Sequence, residues 1–319
     1  MPCVGCNIYF WGAAEQNRLL IECLGPSVAT FRREGLARSF WFDRFDARGP
    51  HLFALITALP EAVGEISRRL STQVGDYLAA RPSTDSPSTE EIATRHAQTR
   101  GKVLCSADNL MDLAANNSYV VFEHPSHGYP FFIGEGLPEE EDWWSLLDQL
   151  AFWAIDRLTA APKAVPLGVA VRWMAGLDRE VRRLGVAAGY WRHYATTLVV
   201  GLTERLAAGE QDVIDSLPLV VGRKNLETFS RVWSEAESRP HPWPHLQRLV
   251  EIAFAGAEPA PVRGAAALRE AVHCFLKQLG VPVSLHVPLV LFAWYRSTRS
   301  PEVTGRSAPE GGAIGRAAG

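Results

Sequence analysis

The chain has 319 residues, of which 47% are hydrophobic and 21% are charged, the balance of a folded protein that buries a sizeable core. Its 32 basic and 35 acidic side chains give a formal net charge of -3, which argues against a surface that binds nucleic acid over the whole molecule. At about 150 residues per domain, this length predicts two units or one large one.

The first eighty residues predict alternating strands and helices. Aromatic and β-branched residues at 7–11 indicate a strand, and from Glu15 apolar residues recur at helical spacing until Gly25 and Pro26, which we expect to break or kink the helix. Residues 39–46 and 51–57 predict a hairpin around a Gly-Pro turn. Pro60 then begins a further helix. This order predicts an α+β fold with helices beside an antiparallel sheet.

The middle of the chain changes character. Residues 81–100 have no apolar period and predict a surface loop or linker, and residues 119–122 predict a short strand that rejoins the sheet. Most of the remainder has helical periodicity, which predicts a mostly helical half. The predicted helices cover approximately residues 139–158, 167–184, 190–206, 225–237, 245–254 and 265–279. We therefore expect a sheet subdomain over 1–135, a helical subdomain over 136–296 and a disordered tail over 297–319.

Neither export nor membrane insertion is expected. The longest near-apolar run, residues 281–295, is interrupted by polar residues and prolines, and a bilayer span takes about 20 residues. No basic segment followed by an apolar stretch and a cleavage site opens the chain. The odd number of cysteines, 5, fits a reducing compartment better than a disulfide framework. We expect a cytoplasmic protein.

Three short motifs have the spacing of metal or redox sites, but their contexts favour structural roles. The cysteine pair is expected to precede the first strand, and prolines make both histidine pairs loop-like, unlike the helical arrangement that puts two ligands on one face. These motifs are Cys3-x-x-Cys6, His124-x-x-His127 and His241-x-x-x-His245. We expect no metal and no cofactor, since the sequence also lacks a phosphate-binding glycine loop and a Gly-x-Ser-x-Gly elbow.

One predicted helix carries three groups that can exchange protons. Tyr190, His193 and Tyr194 are three and four positions apart, so they share a face of the helix. Such groups on one face suit a proton-transferring pocket. An amphipathic helix whose aromatic rings pack and whose polar tips reach water fits the same pattern, and the sequence does not decide between the two.

A second candidate lies near the end of the ordered chain. His286 is surrounded by apolar residues, so both of its ring nitrogens need partners and burial should favour its neutral form. If this run is a strand, Ser284 shares its side with His286. Trp294 and Tyr295 follow. A buried structural histidine and a catalytic one remain alternatives here.

The order of elements and several short motifs resemble a family of peptide-modifying proteins. The motifs of this chain are an aromatic strand, a Leu-Leu-Ile-Glu-Cys helix, an aromatic-Asp-Arg-aromatic hairpin with a Gly-Pro-His-Leu turn, and a late Leu-His. In this chain they lie at residues 9–10, 19–26, 40–46, 49–52 and 284–287. They are similar to the C-terminal elimination domain of lantibiotic dehydratases and to stand-alone thiopeptide-type biosynthesis proteins.

Departures from the family's motifs indicate which branch of the family the chain resembles most. In the eliminating members of the family, arginines follow the His-Leu; here Phe53 and Leu55 take those positions. The family's Arg-Glu-Ile-Glu-Arg-Tyr-Gly-Gly signature is replaced by residues 119–124, and its late Asn-Arg has become apolar. Guanidinium groups are well suited to bind and neutralise the carboxylate of the glutamyl group that is expelled. Their loss makes the chain most like the stand-alone thiopeptide pyridine synthases.

The resemblance implies an enzyme of antibiotic biosynthesis on ribosomal peptides. It would join two dehydroalanines of a precursor peptide by a formal [4+2] aza-cycloaddition, without a cofactor, expelling water and the leader peptide to leave a pyridine in a macrocycle. The expected partners are the precursor peptide alone, with no nucleic acid and no membrane, in a monomer or homodimer. The expected proton-transfer residues are His286, Tyr190, Tyr194 and His193, and the expected substrate-binding residues are Arg44, His51, Ser284, Trp294 and Tyr295.

Two other functions remain open at this point. One is a lyase that eliminates glutamate from glutamylated serines. It would use Arg172, Arg182 or Arg192 in place of the missing arginines. This is the only function of the three that would involve a tRNA-linked partner. The other is a non-catalytic module that binds the leader and presents the precursor to partner enzymes.

Overall fold

The N-terminal part of the chain forms a four-stranded antiparallel sheet with the order β2-β3-β1-β4. The structure is a computed structural model that describes residues 2–45, 48–86, 88, 113–124, 140–160, 166–199, 201–238, 244–254 and 261–299. The strands are β1 Cys3–Tyr9, β2 Ala37–Phe45, β3 His51–Ala58 and β4 Ser118–His124. The predicted hairpin is confirmed as β2 and β3, and the short late strand as β4, which pairs with β1.

Three helices accompany the sheet: α1 Ala13–Leu19, α2 Gly25–Arg33 and α3 Val63–Ala80, the last after a single 3₁₀ turn at Pro60–Ala62. The chain does not leave the helix at Gly25 and Pro26. Instead, a π-helical turn, Leu20–Leu24, joins α1 to α2, and Pro26 falls in the first turn of α2.

The cysteine pair lies inside a strand, not before it, so the predicted position was wrong. Cys3 and Cys6 are both buried in β1, opposite Thr57 and Ala54 of β3. Burial raises the pKa of the Cys6 thiol, and it raises the pKa of neighbouring Cys23 to about 11. Both thiols are therefore protonated at neutral pH, as expected of structural cysteines.

The rest of the described chain is helical. Its helices are α4 Glu140–Ala160, α5 Pro166–Arg183, α6 Ala187–Leu198, α7 Leu202–Ala208, α8 Glu210–Val221, α9 Arg223–Ser238, α10 Pro244–Phe254, α11 Pro261–Gln278 and α12 Val283–Arg299. The predicted α+β class, an antiparallel sheet followed by a mostly helical half, is confirmed. No helix in these described ranges is long and apolar enough to cross a membrane.

Two predictions in the helical half need correction. The helix expected over 190–206 is two helices, because the backbone of Val199 is extended after α6 and Gly201, in a left-handed conformation (φ 75°), caps the start of α7. The final apolar run, treated as a strand in the argument about Ser284, is helix α12, with Pro288 inside it. The predicted boundary near residue 136 lies outside the described residues, as does most of the predicted tail.

Asp148 of α4 joins the helical half to the sheet. Its carboxylate accepts hydrogen bonds from the backbone N–H of Phe40 in β2 and from Nη1 of Arg32 in α2, each 2.8 Å long. The side chain is only 5% exposed. Burial raises the pKa of Asp148 from 3.8 to about 6, against the lowering effect of Arg32 and the Phe40 N–H.

The raised pKa predicts a loss of stability between weakly acidic and neutral pH. Because the folded protein holds this proton more tightly than the unfolded chain, the stabilisation is complete below the unfolded pKa and is lost as the pH rises through about 6. Between pH ~4 and pH ~7, we expect the wild type to lose about 2–3 kcal/mol more unfolding free energy than Asp148→Asn. Urea titrations at both pH values measure this difference, and parallel pH slopes would contradict it.

Candidate functional site

One face of α11 carries a row of ionisable side chains. Glu270, His273, Cys274 and Lys277 follow the i, i+3, i+4, i+7 spacing that places residues on one side of a helix. Each of them interacts with a group on another element, namely α6, α12 or β2. This row is called the α11 face below, and sequence reasoning missed it.

The three candidates of α6 lie together, as their spacing predicts. Tyr190 and Tyr194 are buried, with exposed fractions of 2% and 0%, and His193 is half-buried. Neither tyrosine hydroxyl, nor Nε2 of His193, has a hydrogen-bond partner among the residues that the structure describes. Each buried polar group without a partner lowers the free energy of unfolding by about 1–3 kcal/mol, so these three groups destabilise the fold unless a ligand forms hydrogen bonds with them.

The orientation of α6 is fixed from the opposite side. Trp191 stacks on Tyr194, with ring centroids 6.4 Å apart, and its Nε1 donates a 2.6 Å hydrogen bond to Asp178 of α5. Nε of Arg182 donates to the other oxygen of that carboxylate. Trp191 is thereby held against α5, while charged groups of α11, Arg269 and Glu270, act on Tyr190 and Tyr194.

Electrostatic effects keep the α6 groups neutral. Burial raises the pKa of Tyr190 and Tyr194 well above 10, and nearby Glu270 raises both further while Arg269 lowers them. Burial, followed by the charge of Arg269, lowers the pKa of His193. At neutral pH the site therefore presents two hydroxyl donors and one neutral imidazole, which can donate one proton and accept another.

His286 is buried in the first turns of α12, and both ring nitrogens have partners, as the sequence requires. Nε2 lies 3.1 Å from the carbonyl oxygen of Val281, and Nδ1 lies 3.3 Å from Nδ1 of His273. Ser284 does not share this side. Because the segment is helical, residues two apart point in different directions, and Ser284 is exposed.

The other late candidates lie further along α12. Trp294 is buried in the core with an exposed fraction of 1%, and Tyr295 is half-buried under Arg299, whose guanidinium carbon lies 4.8 Å from the ring centroid. Their predicted role in substrate binding stays a prediction.

Arg44 lies where the sheet meets both α1 and the end of α11. Its guanidinium donates to Gln16 Oε1 (3.0 Å) and Asn17 Oδ1 (2.6 Å) of α1, and to the carbonyl oxygen of Gln278 (3.4 Å). Burial lowers the pKa of Arg44 to about 10, and adjacent Asp43 opposes that shift. These contacts give Arg44 a joining role; its role as a substrate anchor stays a prediction.

His51 lies in the same region, at the start of β3. Its Nδ1 donates a 2.8 Å hydrogen bond to the carbonyl oxygen of Gly49, and its ring stacks on Phe45 with centroids 5.6 Å apart. Burial lowers the pKa of His51 to about 4, the Gly49 hydrogen bond opposes this, and the charges of Lys277 and Arg48 add to it. The ring is neutral at neutral pH, and substrate binding by it stays a prediction.

Asp43 and Lys277 form a buried ion pair at the C-terminal end of the α11 face. The carboxylate contacts Nζ of Lys277 and accepts a 2.7 Å hydrogen bond from the backbone N–H of Arg44. Nζ also lies 4.2 Å from the ring centroid of Phe45. Burial raises the pKa of Asp43, although Lys277 and Arg44 lower it. The α11 face thus runs from the α6 tyrosines to this ion pair.

The metal-like motifs lie partly within the described residues. Among the described residues, no three His, Cys, Asp or Glu side chains converge so as to hold a metal ion. His127 and His241 lie outside the described residues. The centroid of the His245 ring lies 6.1 Å from that of Trp153.

Comparisons of the sequence alone found no similarity. No protein-family model matches the chain, and no curated protein matches it.

Comparison of the fold gave matches. The chain is similar to "Pyridine synthase, TbtD, from thiomuracin biosynthesis", with a TM-score of 0.56 and 19% identity over 93% of this chain and 97% of that one. It is also similar to the tRNA-dependent lantibiotic dehydratase MibB from Microbispora sp. 107891, with a TM-score of 0.51 and 13% identity over 93% of this chain but 28% of that one. TsrL matches with a TM-score of 0.47 and 15% identity, covering 93% and 95% of the two chains. The expected resemblance is therefore confirmed for the fold, which this chain shares with a thiopeptide pyridine synthase and with part of a lantibiotic dehydratase.

Proposed function

We propose that the protein is a pyridine synthase that acts on a precursor peptide of a thiopeptide pathway. The observation that carries the proposal is a set of three proton-exchanging groups on α6, Tyr190, His193 and Tyr194, whose buried polar atoms have no hydrogen-bond partner in the described part of the chain. They lie in a fold that matches TbtD over nearly all of both chains. A bound substrate amide would provide the hydrogen bonds that these two hydroxyls and this imidazole nitrogen lack.

The reaction needs positioning and proton transfer. One dehydroalanine and the iminol form of a neighbouring amide supply the four-atom component, and the second dehydroalanine supplies the two-carbon component. Two C–C bonds form, one between the two methylene carbons and one between the iminol carbon and the α-carbon of the second dehydroalanine. Water then leaves from the former iminol carbon and the leader leaves as a carboxamide from that α-carbon, which gives the aromatic ring. Holding two distant alkenes together is worth about 7–11 kcal/mol when binding supplies it in full.

The α6 groups match the first proton transfer. A tyrosine hydroxyl donates its proton to the amide oxygen while the neutral His193 ring accepts the amide N–H proton, which produces the iminol. The reverse transfers then assist the departure of water and of the leader amide. General acid and base groups of this kind contribute typically about 10²–10⁴-fold in rate.

Two groups of contacts disfavour glutamate elimination. Phe53, at one of the positions where the eliminating enzymes carry arginine, is buried and packs against Trp41 and Phe122, with ring centroids 6.1 Å away in each case. The alternative arginines are engaged elsewhere. Their partners are Glu235 for Arg172, Asp178 for Arg182 and Glu210 for Arg192.

Two parallel incubations separate the three functions. The protein is mixed with a synthetic azole peptide that bears two dehydroalanines and an intact leader, and masses are followed. A pyridine synthase releases the leader as an amide and forms a macrocycle that has also lost water. A lyase leaves this peptide unchanged and instead converts a glutamylated serine peptide, offered in the second incubation, to dehydroalanine. A binding module retains the leader without any mass change in either incubation. Either of these results would overturn the proposal.

A further inference from the structure

The turn between α5 and α6 determines which residues of the two helices meet. Gly185 adopts a left-handed conformation (φ 73°), and its N–H bonds the carbonyl oxygen of Arg182. The N–H of Val186 bonds the carbonyl oxygen of Val181. These two bonds form the Schellman end of a helix, which needs a residue tolerant of positive φ. Because α6 begins directly after this turn, at Ala187, its first turns lie beside the last turns of α5.

Asp178 and Trp191 are the residues that meet across this turn. Trp191 is fully buried, and its Nε1 donates a 2.6 Å hydrogen bond to Oδ1 of Asp178. Nε of Arg182 donates a 2.5 Å hydrogen bond to the other carboxylate oxygen. A hydrogen bond to a carboxylate is one of the strong ones, and Nε1 is the only polar atom of the indole ring. This bond therefore fixes the orientation of the whole ring.

The same ring contacts both tyrosines of the candidate site. Tyr190 meets it edge-on, with ring centroids 4.8 Å apart, and Tyr194 lies nearly parallel to it at 6.4 Å. Both are favoured geometries for aromatic pairs. Neither tyrosine hydroxyl has a hydrogen-bond partner among the described residues, so no described polar contact fixes where the hydroxyls lie. Their positions depend instead on how the rings pack, and Trp191 packs on both.

We propose that Trp191 is a positioning residue for proton transfer: oriented by Asp178, it sets where the hydroxyls of Tyr190 and Tyr194 meet the substrate amide. This inference rests on the proposed function and adds to it a residue that touches no reacting atom. Its effect arises because a displacement of about 1 Å in a catalytic group can slow a reaction by about 10²-fold. Both proton donors remain present when Trp191 is replaced, and only their placement changes.

Nitrogen-15 NMR of the protein labelled on tryptophan tests the contact without any substrate. The chain has 10 tryptophans, and the variant Trp191→Phe assigns the indole signal of Trp191. We expect this N–H signal to lie downfield of an ordinary indole, as a short bond to a carboxylate requires, and to move in Asp178→Asn, where the acceptor is neutral. A Trp191 signal that Asp178→Asn leaves in place would overturn the inference.

A pair of matched variants tests the effect on the reaction. Trp191→Phe keeps an aromatic ring but removes the anchored N–H, so we expect kcat for cyclisation to fall about 10–100-fold with KM little changed. Trp233→Phe is the control, because Trp233 is also buried and its Nε1 donates a 3.0 Å hydrogen bond to a carboxylate, that of Glu237. We expect W233F to lower Tm by a similar amount and to leave kcat unchanged. Equal losses of kcat in the two variants would overturn the inference, since both rates would then follow stability alone.

The tyrosines themselves provide the remaining test. If Trp191 acts through their hydroxyls, Trp191→Phe should cause no further loss of kcat in a protein that already carries Tyr190→Phe and Tyr194→Phe. The full loss recurring in that background would overturn this inference alone and leave the proposed function intact. A wild-type protein that forms no macrocycle would overturn both, even where NMR finds the expected signal.

Discussion

Replacement of both Tyr190 and Tyr194 by phenylalanine is expected to slow macrocycle formation strongly and, at the same time, to stabilise the fold. Both hydroxyls are buried without a described partner, so removing them relieves two unmet hydrogen bonds. We expect a gain of about 1–2 kcal/mol in unfolding free energy, or a rise in Tm of a few degrees. Cyclisation should slow by about 10²–10⁴-fold, since the amide oxygen loses its proton donor. Thermal unfolding and a mass-based assay measure the two effects.

A second tyrosine supplies the control for the same chemical change. The hydroxyl of Tyr77 in α3 donates a 3.2 Å hydrogen bond to Glu22, so Tyr77→Phe should leave cyclisation unchanged and lower stability slightly. Opposite signs of the two stability changes are the diagnostic result. If the double variant of Tyr190 and Tyr194 is less stable than the wild type and fully active, the two hydroxyls contribute to packing alone.

The N-terminal half could be predicted from sequence because its signals are local. The hairpin of β2 and β3 has a turn motif between two apolar stretches, and the apolar face of α3 repeats at helical spacing. The π turn at Leu20–Leu24 has no such signal, because it depends on how the helix fits over the sheet. Residues 281–295 were ambiguous for a different reason. A short apolar run with prolines fits a strand or a buried helix equally well, and only packing decides.

The site was predictable only where one element carries it. Tyr190, His193 and Tyr194 lie on one helix, so their spacing alone groups them. His273 and Lys277 were missed because their partners come from other parts of the chain: Asp43 is 234 residues from Lys277. The spacing of ionisable residues along α11 was the available signal, but a solvated helix face shows the same pattern.

Asp43 and Lys277 also explain how the two halves hold each other. Beside the ion pair, Nε2 of Gln278 donates a 2.7 Å hydrogen bond to the carbonyl oxygen of Phe42, and Arg44 reaches the carbonyl of the same glutamine. Strand β2 and the end of α11 are thus joined by charged and polar contacts at one place. Because Arg269 and Glu270 of α11 act on the α6 tyrosines, we expect the position of α11 on the sheet to affect the candidate site as well.

Replacement of Asp43 by alanine is accordingly expected to cost about 3–5 kcal/mol in unfolding free energy, because it leaves the Lys277 ammonium buried without its counter-charge. The lysine side chain is only 12% exposed, so water cannot readily take the place of the carboxylate. Lys277→Met should cost less. The carboxyl of Asp43, whose pKa burial already raises, can take up a proton and become neutral when the lysine is gone. Urea unfolding at neutral pH measures both losses.

The double variant Asp43→Asn with Lys277→Met separates two causes of the lost stability: a buried charge without a partner, and the loss of the shape of the contact. The asparagine side chain still offers an oxygen to the backbone N–H of Arg44, and methionine fills the space of the lysine stem beside Phe45, so no buried charge is left without a partner. We expect the double variant to lie within about 1–2 kcal/mol of the wild type, far better than Asp43→Ala, because well-packed neutral pairs often replace buried ion pairs at little cost. A double variant as unstable as Asp43→Ala would mean that the shape of this contact, and not its charge, holds α11 on the sheet.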